Sequence, residues 1–220
     1  MSSPGSAARP AGLAKPTDGL VSRLINRRLS TRITLMLLRL PRPPSPDAVT
    51  VLATVLVALG GLAFAAGLPW LGGLLAQAGS IVDGVDGELA RALGRQSRAG
   101  ALLDTVLDRL SDIALLAGMS LAVLASHGGL AAGAAALLAV TGDLMVSYLH
   151  GVGEKLAGRH PVLVGRIPGI AGRDVRLFIV FLAGLAGSPL AGLVAVAALG
   201  HCYVACKTVE LLRYMEEQGL

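Results

Sequence analysis

Beyond residue 46 the chain is a succession of long apolar blocks, separated by short connections rich in glycine, proline or charge. The blocks run over about 47–66, 70–91, 99–125, 130–154, 173–187 and 189–213. Most approach the roughly 20 residues that an α-helix needs to cross a bilayer. The pattern predicts an all-α integral membrane protein with six transmembrane helices around a polar cavity, the fifth helix being the shortest. Ahead of them, Leu20, Leu24, Ile25, Leu29, Ile33, Leu37 and Leu38 recur at helical spacing, with Arg23, Arg27, Arg28, Arg32 and Arg39 between. That is the pattern of an amphipathic interfacial helix with its basic residues toward lipid headgroups. Pro41 to Pro46 breaks this helix; Ser45 is placed to cap the next one, with Pro46 at its first position. Residues 1–18, rich in Ser, Ala, Pro and Gly and without a helical period, are expected to form a disordered tail and carry no apolar run of signal-peptide type. The chain thus divides into a tail over 1–18, an amphipathic juxtamembrane helix over 19–42 and one six-helix transmembrane domain over 43–215.

Composition agrees, since 54% of the residues are hydrophobic. A net charge of +5 would suit nucleic acid, but the basic residues flank apolar blocks and aromatics are only 3%. No nucleic-acid partner is expected. Lys and Arg gather before the first block, at 91–98, at 155–176, and at Lys207 and Arg213. The connections Gly67-Leu68-Pro69, Ser126-His127-Gly128 and Gly187-Ser188-Pro189 contain none. By the positive-inside rule, this multi-pass protein of the cytoplasmic membrane has both termini and its charged connections toward the cytoplasm. The 29 glycines suit close helix packing. Cys202 and Cys206, one helical turn apart, read as small packing residues rather than a disulfide.

Against this apolar background stand Asp83, Asp86, Asp104 and Asp108. Ionisable groups at membrane depth are costly and mark functional sites. Asp83 and Asp86 share one helical face, Asp104 and Asp108 another. Arg91, Arg95 and Arg98 mark the turn between the two helices, which brings the pairs to matched depth. Such a cluster repels itself unless cations neutralise it, and an all-oxygen set favours Mg²⁺, Mn²⁺ or Ca²⁺ over zinc. In the basic stretch 154–176, Arg173 and Arg176 share a face, and with Lys155 and Arg159 they are candidates for an anionic acceptor. His127, His150, His160 and His201 lack ligand spacing, and no catalytic His is expected. Asp143 and Tyr148 are left between a cavity wall and a dimer interface.

The series Asp83-x2-Asp86-Gly87-x2-Ala90-Arg91-x8-Gly100-x3-Asp104-x3-Asp108 resembles the signature of the CDP-alcohol phosphotransferases. Ser45-Pro46-Asp47 with Thr50 resembles the same family at the start of its first span, with Asp47 where Asn is common. The resemblance implies transfer of a substituted phosphate from a CDP-alcohol donor to an acceptor hydroxyl, with release of CMP, usually by a homodimer. It implies that Asp83, Asp86 and Asp104 hold one or two Mg²⁺ (or Mn²⁺) ions, to which Asp108 is a further candidate ligand. Asp108 is implied to act as general base. Thr50, Asp83, Gly87, Ala90, Arg91 and Gly100 are implied to contact the nucleotide, and Arg173, Arg176, Lys155 and Arg159 are candidates for the phosphate of the acceptor. The stretches from Asp18 to Thr34 and from Gly72 to Arg91 also resemble the transferase part of di-myo-inositol phosphate phosphate synthases, which join CDP-inositol to inositol phosphate. That resemblance favours a polar donor such as CDP-inositol. The alternative is a phospholipid synthase using CDP-diacylglycerol and an inositol phosphate or glycerol phosphate acceptor. The di-myo-inositol phosphate phosphate synthases often carry a fused cytidylyltransferase, a domain these 220 residues lack, so a separate cytidylyltransferase is an expected partner. A transporter is the remaining alternative, since carboxylates at membrane depth also mark ion pathways; an internal repeat would favour it, and none is visible.

Overall fold

The computed structural model describes residues 17–220, so most of the expected tail lies outside the described residues. The described chain is helical and its residues form no strand. A single π-helical turn, Ser22–Asn26, leads into α1 (Arg27–Leu38). Then come α2 (Pro46–Ala65), α3 (Pro69–Ala92), α4 (Arg98–Ser126), α5 (Gly129–Ala157), α6 (Arg173–Leu185) and α7 (Pro189–Gln218). The starts of α2, α3, α4 and α7 have local causes. The Ser45 side chain accepts the Ala48 N–H at 3.2 Å ahead of α2, and Ser97 accepts that of Gly100 at 2.9 Å ahead of α4. Pro46, Pro69 and Pro189 occupy first-turn positions, where a missing N–H costs nothing.

α3 and α4 each pack on α2, α5 packs on α7, and α6 bridges α3 and α7. One apolar core joins these helices through Val57, Phe64, Leu115, Met119, Val180 and Leu193. Glycines set the closest crossings. A Cβ on Gly73 of α3 would lie 2.8 Å from the Phe181 carbonyl of α6, and one on Gly200 of α7 would lie 2.8 Å from that of Gly142 in α5. No side chain fits at either crossing, which is how small residues let membrane helices approach.

α2, α4, α5 and α7 are long and apolar enough to cross a membrane. The apolar window of each is at most 44% buried by the rest of the protein, so a large share of its Leu and Val faces outward. Water disfavours such a surface and lipid accepts it: this is a membrane protein. The two remaining predicted spans fall short for different reasons. α6 has 13 residues, about 20 Å of helix against a hydrocarbon core of about 30 Å. α3 has 24 residues but carries Gln77, Asp83, Asp86, Glu88 and Arg91.

The N-terminal helix departs from the expected amphipathic pattern. Its inner stripe is polar: Asn26, Ser30 and Thr34 are buried, whereas Leu24, Leu29 and Met36 are exposed. Only its last turns pack by apolar contact, with Ile33, Leu37 and Leu38 against Val49, Val85 and Leu89. Arg27 points inward rather than toward headgroups, donating to Glu88 at 2.7 Å and to Asp18 at 2.6 Å. Asp18, expected in the tail, is therefore engaged in the fold. Cys202 and Cys206 are free and exposed, not packed in the core, because both lie on the outward face of α7.

Candidate active site

α3 ends at Ala92 and Gly94, at φ +62°, reverses the chain before Ser97 opens α4. Below this turn, Asp83 from α3 and Asp104 and Asp108 from α4 each offer a carboxylate oxygen, all within 4.8 Å of one another. A hard divalent cation fits this set, which is all oxygen and anionic. Asp86 is turned a little aside: Thr50 donates to one of its oxygens at 2.5 Å, and the Gly87 N–H meets the other.

Two chambers meet at these residues. The first, about 210 Å³, is lined by Asp47 and Thr50 from α2, by Ala90 from α3, and by Gly100 from α4. The second, about 260 Å³, lies between the N-terminal segment, Asp83 and Asp108, the end of α5, the 158–172 connection and the start of α6. Asp86, Gly87, Arg91 and Asp104 line both. The expected nucleotide set is thus brought to the first chamber almost complete, with Asp83 on the second.

The expected acceptor set is split. Arg173 lines the second chamber and reaches Asp108 at 2.8 Å, Asp83 at 3.1 Å and Asp112 at 2.9 Å. It is a fixed cation beside the three carboxylates. Arg176 lies one turn deeper and is 3% exposed, paired with Asp143 and donating to the Ala171 carbonyl at 2.7 Å. It lines neither chamber, and Asp143 is accounted for by this pair. Lys155 and Arg159 are exposed and also line neither, while Tyr148 faces outward at 63% exposure.

Several residues of the site were not anticipated. Asp112 continues the i, i+4 series of Asp104 and Asp108, and is 2% exposed against Arg173 and Arg109. Glu88 is fully buried, accepting from Arg27, from Ser30 at 2.7 Å and from Thr34 at 2.8 Å. Burial works against the charge on Arg27, but hydrogen bonds to Asp18 and Glu88 outweigh it and hold the guanidinium above its ordinary pKa. Ser22 donates its N–H to Asp174 at 2.7 Å, which docks the N-terminal segment over the second chamber. Lys207, expected only as a charge flanking a span, is fully buried. It donates to the carbonyls of Val164 at 2.6 Å and Ile167 at 2.9 Å and to Glu210 at 2.7 Å, pinning the 158–172 connection. His150 and His160 line the second chamber. The polar i, i+4 stripe Asn26-Ser30-Thr34 was the available signal for the Glu88 contact.

Fold and site define a helical membrane protein whose clustered, half-buried carboxylates open on two chambers. Residues 44–204 match a family profile described as CDP-alcohol phosphatidyltransferase. A bifunctional IPC transferase and DIPP synthase of Rubrobacter xylanophilus is 45% identical over 201 residues, covering 91% of this chain and 44% of that protein. The chain thus spans less than half the length of that relative. Among solved structures, Mycobacterium tuberculosis phosphatidylinositol phosphate synthase with CDP-DAG bound superposes with a TM-score of 0.69 at 25% identity, covering 84% of this chain and 94% of that one. The same synthase in complex with manganese and citrate gives 0.66 at 27% identity, covering 83% and 88%. The chain belongs to the CDP-alcohol phosphatidyltransferase family, a family of transferases.

Proposed function

We propose that the chain transfers a substituted phosphate from a polar CDP-alcohol, CDP-inositol or a close relative, to a hydroxyl of an inositol phosphate, releasing CMP. The observation that carries this reading is the meeting of two chambers at Asp86, Gly87, Arg91 and Asp104, beside the Asp83–Asp104–Asp108 group. The first chamber takes the cytidine nucleotide. Thr50 braces Asp86, Gly87, Ala90 and Gly100 leave room at the backbone, and Arg91 reaches the phosphates from the wall between the chambers. Asp83, Asp86 and Asp104 hold one or two divalent ions, Mg²⁺ or Mn²⁺, with Asp108 in reach of the same position. When bound, such an ion offsets charge on the pyrophosphate and on the departing CMP. Asp108 accepts the proton of the acceptor hydroxyl. The acceptor oxygen then bonds to the phosphorus bearing the donor alcohol, and the bond from that phosphorus to the CMP oxygen breaks. Arg173 pairs with the phosphate of the acceptor in the second chamber; Arg176, Lys155 and Arg159 are not given that role.

In this proposal α2–α7 all lie in the membrane as six spans, α3 and α6 sheltered by their neighbours, and α1 lies at the interface. Residues 19–42 form the juxtamembrane segment and 43–215 the catalytic domain. Both termini and the chambers face the cytoplasm, which the Lys and Arg distribution supports. A homodimer and a separate cytidylyltransferase supplying the donor complete the picture, on the family resemblance.

A second reading, a phospholipid synthase, is favoured by the CDP-DAG in the mycobacterial structure. A panel of CDP-alcohols and acceptors, assayed for CMP with mass spectrometry of the product, separates the two. Turnover of CDP-diacylglycerol alone would overturn the polar-donor reading, and absence of CMP with every pair would overturn the reaction.

A further inference from the structure

We propose that His150 and His160 form a hydrogen-bond-donating wall of the second chamber that selects a polyhydroxylated phosphate as acceptor. The inference rests on the reading of that chamber as the acceptor site. His160 caps the one-turn 3-10 helix Pro161–Leu163, and its Nδ1 lies 3.2 Å from the Val162 backbone nitrogen. A backbone N–H can only donate, so Nδ1 holds no proton and the neutral ring carries its proton on Nε2. Burial lowers the pKa of this ring, Lys207 lowers it further and Glu154 opposes, so the neutral form is the one present at pH 7. His150, near the end of α5, places Nε2 3.0 Å from the Tyr203 hydroxyl. Tyr203 is 3% exposed and meets the imidazole edge-on at a centroid distance of 5.6 Å. A phenol is a stronger acid than a neutral imidazole, so it donates to Nε2 and leaves the ring proton on Nδ1.

Each ring therefore keeps one N–H donor beyond its fixed partner. The rings stand 5.0 Å apart on the wall that also includes Arg173. The wall is held in place, since Lys207 and Glu210 pin the connection that carries His160. Neutral donors recognise hydroxyl and phosphate oxygens without adding charge beside Arg173. A cyclitol phosphate offers such oxygens around its whole ring, and glycerol phosphate offers few. Sites built to hydrogen-bond hydroxyls reject ligands that lack them, because the buried donors are left unpaired.

The test uses the full chain in detergent with Mg²⁺ and two probes, myo-inositol 1-phosphate and glycerol 3-phosphate. Equilibrium binding is measured for wild type, His160→Ala, His160→Gln and Tyr203→Phe, with acceptor and donor KM measured in parallel. Loss of one donor weakens inositol phosphate binding about tenfold, roughly the worth of one hydrogen bond to a charged or buried group. Glycerol phosphate binding should change less, so selectivity collapses. His160→Gln, whose amide reaches the Nε2 position, recovers part of the loss. Tyr203→Phe raises the acceptor KM while the donor KM stays. Variants that bind both probes as wild type does, or that lose both equally, overturn the wall while the proposed reaction stands. Selective binding by wild type without CMP release overturns the donor assignment and leaves the wall. Failure of wild type to bind either probe overturns the chamber assignment and the wall with it.

Discussion

The two chambers share four residues, yet they are built in opposite ways. The first is assembled from α2, α3, the turn after α3 and the start of α4, so neighbouring elements and fixed spacing supply nearly all of it. The second gathers the segment from Thr17 to Ser30, the C-terminal half of α3, Asp104 and Asp108, then His150, His160 and the start of α6. A helical repeat can place residues four apart on one face, but it cannot say which distant loop will close over them. Local geometry fixes the first chamber, and tertiary packing fixes the second.

The shared wall gives the largest expected effect. Removing the divalent ion, or replacing Asp104 by Asn, should lower activity by roughly 10³-fold or more, since bound metal supplies several kcal/mol of charge stabilisation. Both chambers depend on that residue, so neither substrate rescues the loss at saturation. Full activity in excess chelator, with metal removal confirmed by elemental analysis, would break the comparison at its root. Asp108→Asn comes next. It keeps size and most hydrogen bonding but cannot take the proton of the acceptor, so kcat should fall about 10²–10⁴-fold with nucleotide affinity unchanged. Recovery of activity on raising Mg²⁺ would show Asp108 to be a ligand instead.

The legibility of the site follows the same division. Helix boundaries and the aspartate spacing were readable because apolar blocks, caps and i, i+4 faces are local. Asp112 was equally readable as the next member of its series, and only its pairing with Arg173 was not. The roles of the basic residues were beyond reach: Arg173 and Arg176 sit one turn apart, but one reaches the chamber and the other meets Asp143. Their separation depends on where α4 and α5 place their acids, which no spacing encodes. Glu88 stands between these cases: the polar i, i+4 stripe of Asn26, Ser30 and Thr34 signals a buried polar partner, but not that the partner lies on α3, more than 50 residues later.

That separation is testable by the pair of alanine variants. Arg173→Ala should raise the acceptor KM by about 10–100-fold, the worth of a hydrogen bond to a charged group, with little change for the donor. Arg176→Ala should leave the KM ratio alone and cost stability, about 3–5 kcal/mol, because Asp143 is left as a buried unpaired acid. The readouts are steady-state kinetics and thermal unfolding in detergent. A selective acceptor effect from Arg176→Ala, with stability intact, would return that residue to the site and undo the division between chamber and core.

The smallest expected effect tests the first chamber by itself, at Gly100. This residue is the third in α4, with its N–H on the Ser97 hydroxyl at 2.9 Å. A Cβ there would lie 3.1 Å from that hydroxyl and 3.3 Å from Asp47 Oδ1, tight contacts with side chains that can yield by a few tenths of an ångström. Helix propensity favours Ala over Gly by about 0.8–1 kcal/mol, so the protein itself should be no less stable. The added methyl does occupy the wall of the first chamber. If the cytidine nucleotide packs on the backbone there, displacing it costs about 1 kcal/mol or more, and the donor KM rises roughly fivefold. The acceptor KM should not move, because Gly100 does not line the second chamber. Stability and affinity are thus expected to change in opposite directions. Gly100→Ala with unchanged donor KM would mean that the nucleotide lies elsewhere and that Gly100 serves the helix turn alone.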